Sequence, residues 1–256
     1  MGYTNSKLVS YKKISPHKTS PRNHKIDTIT IHCMAGNLSV ETCGNVFQTR
    51  QASSNYGIGS DGRIALYVDE KDRSWATSSS SNDNRAVTIE VANDGGADTG
   101  WHVSGKAMKS LIELITDICK RNDIKELKWS TNKSDRVNHK NGCNMTVHRD
   151  YAAKSCPGDY LYGKHSYIAS EVNKKLKLTT TVTASSTTTP TSIKEFKVKV
   201  TVDALNIRKE PIADSKKAGC ITNKGTYTIT KTSGSWGYLK SGAGWINISN
   251  KYVQRL

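Results

Sequence analysis

Apolar and polar residues alternate with period two over residues 26–33, Ile-Asp-Thr-Ile-Thr-Ile-His-Cys, which predicts a strand half facing a core. A second strand is expected over 86–92, AVTIEVA. Between them Ser39 is placed to cap a helix with Thr42 and Cys43 in its first turn, running to about Gln51. Asp61-Gly62 marks a hairpin turn between strands over 56–60 and 63–68. Residues 106–121 carry Met108, Leu111, Ile112, Ile115 and Cys119 on one helical face. A short strand end at 146–148 and a helix within 158–176 complete a pattern in which strands and helices interleave. The expected fold class is α/β, a mixed central sheet flanked by helices.

The pattern changes after Leu178. Residues 179–192 read TTTVTASSTTTPTS, and no periodic apolar face can be drawn through them. We read 1–178 as one domain, 179–193 as a Thr/Ser-rich linker and 194–256 as a second domain. The last segment has short strand signals at 197–202, 227–231, 237–240 and 244–248, separated by Gly, Ser, Asn and Asp. It is expected to be a small all-β barrel.

Composition narrows the class of protein. A hydrophobic share of 35% over 256 residues permits a real core, and the apolar runs are far too short to span a bilayer, so no membrane insertion is expected. Residues 1–14 hold lysines but no apolar stretch, so no secretory signal is expected. Lys+Arg 38 against Asp+Glu 22 gives a net charge of +16. Of these, 12 basic and 4 acidic residues fall in 194–256, a net +8 in a quarter of the chain. Such a field favours a polyanion: nucleic acid, an anionic membrane or a phosphate-rich wall polymer. The cysteines at 33, 43, 119, 143, 156 and 220 form no CxxC pair and are read as reduced thiols.

Three of the residues that can ligate a soft metal stand at element ends. His32 closes the first core strand, and His148 and Cys156 bracket the loop HRDYAAKSC. Two imidazoles and a thiolate meet the three-ligand count of a catalytic zinc site, which keeps a fourth position open. Glu90 interrupts an apolar strand between Ile89 and Val91. An unpaired buried carboxylate is costly, so Glu90 is expected to face a polar site.

HRDYAAKSCPG resembles the ligand box of the type-2 N-acetylmuramoyl-L-alanine amidases, a superfamily that includes phage lytic amidases and peptidoglycan recognition proteins. TITIHCMAG resembles their first ligand strand, ASSNYGIGSDGRI their strand-turn-strand, and AVTIEVAND the strand bearing a catalytic glutamate. The resemblance spans roughly 25–175 and implies Zn2+ held by His32, His148 and Cys156. It further implies Glu90 as proton acceptor and donor, and Lys154 beside zinc as stabiliser of the oxyanion. The implied reaction is hydrolysis of the amide between the lactyl group of N-acetylmuramic acid and L-alanine. Three positions depart from the family: Asn55 where a histidine is frequent, Ser54 where some relatives carry a tyrosine, and Trp75-Ala76-Thr77-Ser78 where Trp-His-Ala-Gly is common.

Residues 194–256 resemble bacterial Src-homology-3-type domains through Leu205-Asn206-Ile207-Arg208, Trp236, Gly244-Trp245-Ile246 and Tyr252-Val253. That likeness implies wall binding, with Trp236 and Trp245 as contact residues; packing in the core is the other reading of both. The expected partners are peptidoglycan and anionic wall polymers. The expected route is synthesis in a bacterial cytoplasm and action on the wall after release, as in an endolysin or autolysin. A cytosolic recycling amidase would have no use for the C-terminal segment, and a non-catalytic recognition protein typically lacks a ligand such as Cys156. A nucleic-acid partner is not expected, because basic and aromatic residues do not interleave along the chain.

Overall fold

The computed structural model describes residues 2–182, 195–211, 215–233 and 235–256. The chain divides into two units, Met1–Ser185 and Ser186–Leu256. The first contains, in order, β1 (Tyr11–Lys12), β2 (Lys18–Thr19), β3 (Thr28–Cys33), α1 (Val40–Thr49), β4 (Tyr56–Ile58), β5 (Ile64–Leu66), β6 (Arg73–Ser74), α2 (Ser80–Arg85), β7 (Ala86–Val91), α3 (Gly105–Arg121), α4 (Lys133–Val137), β8 (Met145–Val147) and α5 (Gly158–Val182). Six strands form one sheet in the order β1-β5-β4-β7-β3-β8. It is mixed: β4 and β5 run antiparallel, and every other neighbouring pair is parallel. β2 and β6 make a separate two-stranded ribbon.

Alternation along the three central strands sorts side chains onto two faces. Ile29 and Ile31, Val87, Ile89 and Val91, and Met145 point into a core closed by Leu111, Leu114, Ile115 and Ile118 of α3 and Leu161, Ile168 and Val172 of α5. The opposite face carries Thr30 and His32, Thr88 and Glu90, and Thr146. Its threonines are fully buried and therefore bonded to each other and to neighbours: Thr30 to Thr146 at 2.7 Å, and Ser74 to Thr88 at 2.7 Å. Helix α1 packs Val40, Cys43 and Phe47 against Ala65 and Tyr67. Helices thus flank the sheet, as the sequence pattern predicts.

Local chemistry sets the ends. Ser39 caps α1 by accepting from the Thr42 amide at 3.1 Å, and Ser104, which the pattern did not single out, caps α3 by accepting from Ala107 at 3.1 Å. Gly62 takes φ +88° in the β4–β5 turn. α5 runs through Val182, four residues into the stretch expected to be the linker; residues 183–193 of that stretch lie outside the described residues. No helix among the described residues is long and apolar enough to cross a membrane.

The second unit contains β9 (Phe196–Val200), β10 (Leu205–Arg208), β11 (Lys217–Ile221), β12 (Thr226–Ser233), β13 (Trp236–Leu239), β14 (Trp245–Asn247) and β15 (Val253–Arg255). They form a single antiparallel sheet in the order β11-β10-β14-β13-β12-β9-β15. Its own core gathers Val198, Val200, Leu205, Ile207, Ile221, Ile229, Leu239, Ile246 and Val253. β10, β11 and β15 are not among the strands expected from the sequence, although Leu205 and Ile207 of β10 alternate inward.

Candidate metal centre

β3 and β8 are parallel neighbours, with Ile31 opposite Val147, so their ends deliver the next residues to one edge of the sheet. His32 is the penultimate residue of β3, and His148 opens the 3-10 turn His148–Asp150 that follows β8. The loop then returns Cys156 beneath them. One donor atom from each of His32, His148 and Cys156 lies within 4.8 Å of the other two. His32 Nδ1 is 3.5 Å from Cys156 Sγ. A tetrahedral zinc with Zn–N of about 2.05 Å and Zn–S of about 2.3 Å spaces such a pair by about 3.5 Å.

The electrostatics suit neutral ligands. Burial, reinforced by His148, holds the His32 imidazole down at about 3. Burial, then Lys154, likewise lowers His148. Both imidazoles are therefore unprotonated at neutral pH, the form in which histidine binds metal. The Nε2 atoms of His32 and His148 are buried without a hydrogen-bond partner among the described residues. The Cys33 amide donates to Cys156 Sγ at 3.4 Å, which orients the sulfur toward His32. These donors, their spacing and the two neutral imidazoles fit a soft divalent cation.

Glu90 stands beside this cluster. It is the register partner of His32 across the β3–β7 ladder, and its Oε1 lies 3.9 Å from His32 Nδ1. Its Oε2 is buried and unpartnered among the described residues. Burial, with a smaller contribution from Cys33, raises its carboxyl well above the usual carboxylate range, against the opposing pull of Arg50. Lys154 is exposed and shares with His148 the lining of a groove of about 510 Å³ that also includes Arg50, Arg73, Trp75 and Asp83.

The box that carries His148 is anchored from behind. Asp150 accepts from Arg136 at 2.8 and 2.5 Å and from the Val147 amide at 3.2 Å. Arg136 in turn lies 4.5 Å over the Trp129 ring. Gly158, at φ +80°, ends the box where an added Cβ would stand 2.9 Å from the Gly100 carbonyl and 2.8 Å from Trp101, so no larger residue fits.

Residues 22–159, more than half of the chain, match the family model described as N-acetylmuramoyl-L-alanine amidase. The chain belongs to that amidase family. No curated protein sequence matches it. Solved structures similar to it include PlyL, at 16% identity and TM-score 0.47, covering 63% of this chain and 95% of that one. The catalytic domain of PlyG has 15% identity and TM-score 0.48, over 71% of this chain and 98% of that one. The endolysin N-acetylmuramoyl-L-alanine amidase LysCS of Clostridium intestinale has 18% identity and TM-score 0.45, over 69% and 99%. The assignment rests on the family match.

Within this amidase unit the departures acquire a structural account. Asn55 is fully buried; it accepts from the Thr88 amide at 3.1 Å and donates to the Val68 carbonyl at 3.2 Å. Ser54 is buried and donates to the Tyr56 carbonyl at 2.7 Å. Both act as internal struts and do not line the groove. The loop after Trp75 is held by Asp83, which accepts from the Ala76 and Thr77 amides at 3.0 and 3.1 Å and from the Thr77 hydroxyl at 2.6 Å. Sequence reasoning missed Arg50, Arg73 and Arg136. Arg136 is 14 residues from Asp150, and no local spacing rule links them.

Trp236 and Trp245 lie in the second unit and are half-buried, Trp245 against Tyr238.

Proposed function

We propose that the chain is a zinc-dependent peptidoglycan amidase that cleaves the amide between the lactyl group of N-acetylmuramic acid and L-alanine, and that it acts as a wall-lytic enzyme of the endolysin or autolysin kind. The observation that carries this reading is the convergence of His32, His148 and Cys156 within 4.8 Å of one another, with Glu90 across the ladder from His32. His32, His148 and Cys156 would hold the metal. Zinc in such a donor set acts as a Lewis acid and brings the pKa of water toward neutrality.

The remaining steps belong to side chains of this chain. Glu90 takes the proton of the attacking water and passes it to the leaving amine of L-alanine. Its apolar surroundings suit that role, because a carboxyl held above its ordinary range keeps the proton long enough to deliver it. Lys154 brings an ammonium to the groove beside His148 and offsets the negative charge that develops on the carbonyl oxygen.

We further assign 1–178 as catalytic domain, 179–193 as linker and 194–256 as a Src-homology-3-type wall-binding domain in which Trp236 and Trp245 contact the wall. The separate antiparallel sheet and its net +8 support that assignment. Elemental analysis with product identification on purified walls tests the reading. It expects one zinc per chain and release of L-alanine amino termini. Full zinc in a protein carrying both His148→Ala and Cys156→Ser, or new reducing sugar ends in place of amino termini, would overturn it.

A further inference from the structure

The register of the second sheet lines up five side chains that are scattered through the sequence. Lys217 of β11 stands opposite Arg208 of β10. Arg208 stands opposite Trp245 of β14, Trp245 opposite Tyr238 of β13, and Tyr238 opposite Lys231 of β12. Residues paired across antiparallel strands point to one face. Here that face is the outer one, because the alternate positions Ile207, Ile246 and Leu239 fill the core.

The row runs cation, cation, aromatic, aromatic, cation. Trp245 and Tyr238 meet edge to face, with ring centroids 5.2 Å apart at 65°. Lys231 Nζ lies 5.6 Å from the Tyr238 centroid, and Arg208 is steadied by a 2.9 Å bond to the Ser215 carbonyl. Trp236 sits two residues along β13 from Tyr238 and extends the aromatic strip on the same face. Lys217 and Lys231 have no acidic partner among the described residues. Strands about 4.8 Å apart give the row a length of roughly 19 Å, the span of several sugar units rather than of one small molecule.

We propose that this row is a binding platform for an anionic glycan polymer whose charges are phosphodiesters, the glycan–phosphate chains of a bacterial wall. It rests on the wall-directed function proposed above and names the polymer that the second unit reads. A sugar ring lies on the aromatic face that the packing of Trp245 and Tyr238 leaves open, and phosphates meet Arg208, Lys217 and Lys231 on either side. The sugars of peptidoglycan carry no charge of their own, its carboxylates being on the peptides, so they leave the flanking cations unmatched. A nucleic acid would need open aromatic faces to stack its bases, and the edge-to-face packing of Trp245 on Tyr238 closes one of them.

The test measures binding of the full chain to purified glycosylated poly(glycerol phosphate), to purified walls before and after hydrofluoric acid removes phosphodiester-linked polymer, and to a single-stranded oligonucleotide. The expected result is binding to the polymer and to untreated walls, at least tenfold weaker binding to stripped walls, and weaker binding to the oligonucleotide. Trp245→Ala and the double variant Arg208→Gln, Lys231→Gln are each expected to lose at least tenfold in polymer affinity. The double variant is expected to show a shallower salt dependence, and Lys240→Gln, off the row and paired with Glu195, to change nothing. Equal binding to stripped walls, tighter binding to the oligonucleotide, or row variants that bind the polymer like the parent would each overturn the proposal. Hydrolysis of soluble muropeptides, followed in parallel, reports on the amidase reading separately. Its loss in the parent with polymer binding intact would sink that reading and leave the platform standing.

Discussion

His32 and Glu90 are register partners on adjacent parallel strands, so one imidazole and one carboxylate are fixed side by side on the same face of the sheet. His32 Nδ1 and Glu90 Oε1 are 3.9 Å apart, with the His32 side chain 1% and that of Glu90 18% exposed. The backbone ladder rather than a flexible loop holds the Glu90 carboxyl against the cluster of His32, His148 and Cys156. Sites built on strands keep their geometry with little reorganisation.

Replacing Glu90 by Gln removes a carboxylate that burial already disfavours, so stability is expected to stay level or to rise slightly. Turnover is expected to fall by about 10²-fold or more, the size of a general-base contribution. Lys154→Ala, at an exposed position, is expected to leave stability within about 0.5 kcal/mol. It too is expected to cost about 10²-fold in turnover. Thermal melts beside initial rates on soluble muropeptide check both; wild-type turnover in folded Glu90→Gln protein would show that another group takes the proton.

The Arg136–Asp150 pair is almost fully buried, so cutting one partner strands a charge. Arg136→Met or Asp150→Asn is expected to cost about 3–5 kcal/mol in unfolding free energy. Asp150→Asn also loosens the turn that presents His148, and zinc affinity is expected to drop about 10–100-fold. Denaturant titrations and zinc competition with a chromophoric chelator measure the two effects independently.

His165 is buried, stacked 4.2 Å from the Trp129 ring, with Tyr162, Arg136 and Asp150 nearby. Burial lowers it from 6.5 to about 4, and hydrogen bonds to the Leu161 and Tyr162 backbone only partly offset this. Because its folded value lies below the unfolded one, the unfolded chain binds the extra proton between those pH values. Stability is therefore lost as pH falls from 6.5 toward 4. Between pH 7 and pH 5 the loss from this residue is about 2 kcal/mol. His165→Phe keeps a ring against Trp129 and abolishes the titration, so its melting temperature is expected to fall less over that range than the parent's. Parallel acid dependence in the two proteins would discard this account.

Truncation at the boundary between Ser185 and Ser186 is expected to preserve zinc content and the cleavage of soluble muropeptides. Attack on intact walls is expected to weaken, because a tethered binding unit raises the effective concentration of the catalytic one. That difference is expected to shrink as salt rises, since screening suppresses the charge-driven part of attachment in the full chain. Rates of both proteins on walls across a salt series decide it; equal lysis at every salt concentration refutes targeting by the second unit.

Much of the first unit was legible in the residues themselves. Period-two alternation over 28–33 and 86–91 names the strands, their apolar face and their polar face. The positions of His32, His148 and Cys156 at element ends name a candidate ligand set, and Ser39 names a helix start. These are local signals, carried by neighbours one to four residues apart, and local sterics and capping enforce them whatever the rest of the chain does. The short strands β11 and β15 gave no such signal, because each has a single buried apolar residue and takes its place from partners across the sheet.

What the sequence alone determined is therefore a list: which strands exist, which side chains are apolar, which residues have the chemistry to hold a metal or move a proton. Only the tertiary structure decided who stands next to whom. The pairing of His32 with Glu90 depends on a parallel register between segments 58 residues apart, and a shift of one residue would send Glu90 to the apolar face. The Arg136–Asp150 anchor and the Arg208–Trp245–Tyr238–Lys231 row are likewise products of register and packing. Cations and aromatics that do not interleave along the chain are brought into one row across the strands, because the sheet places residues far apart in sequence at a spacing of about 5 Å.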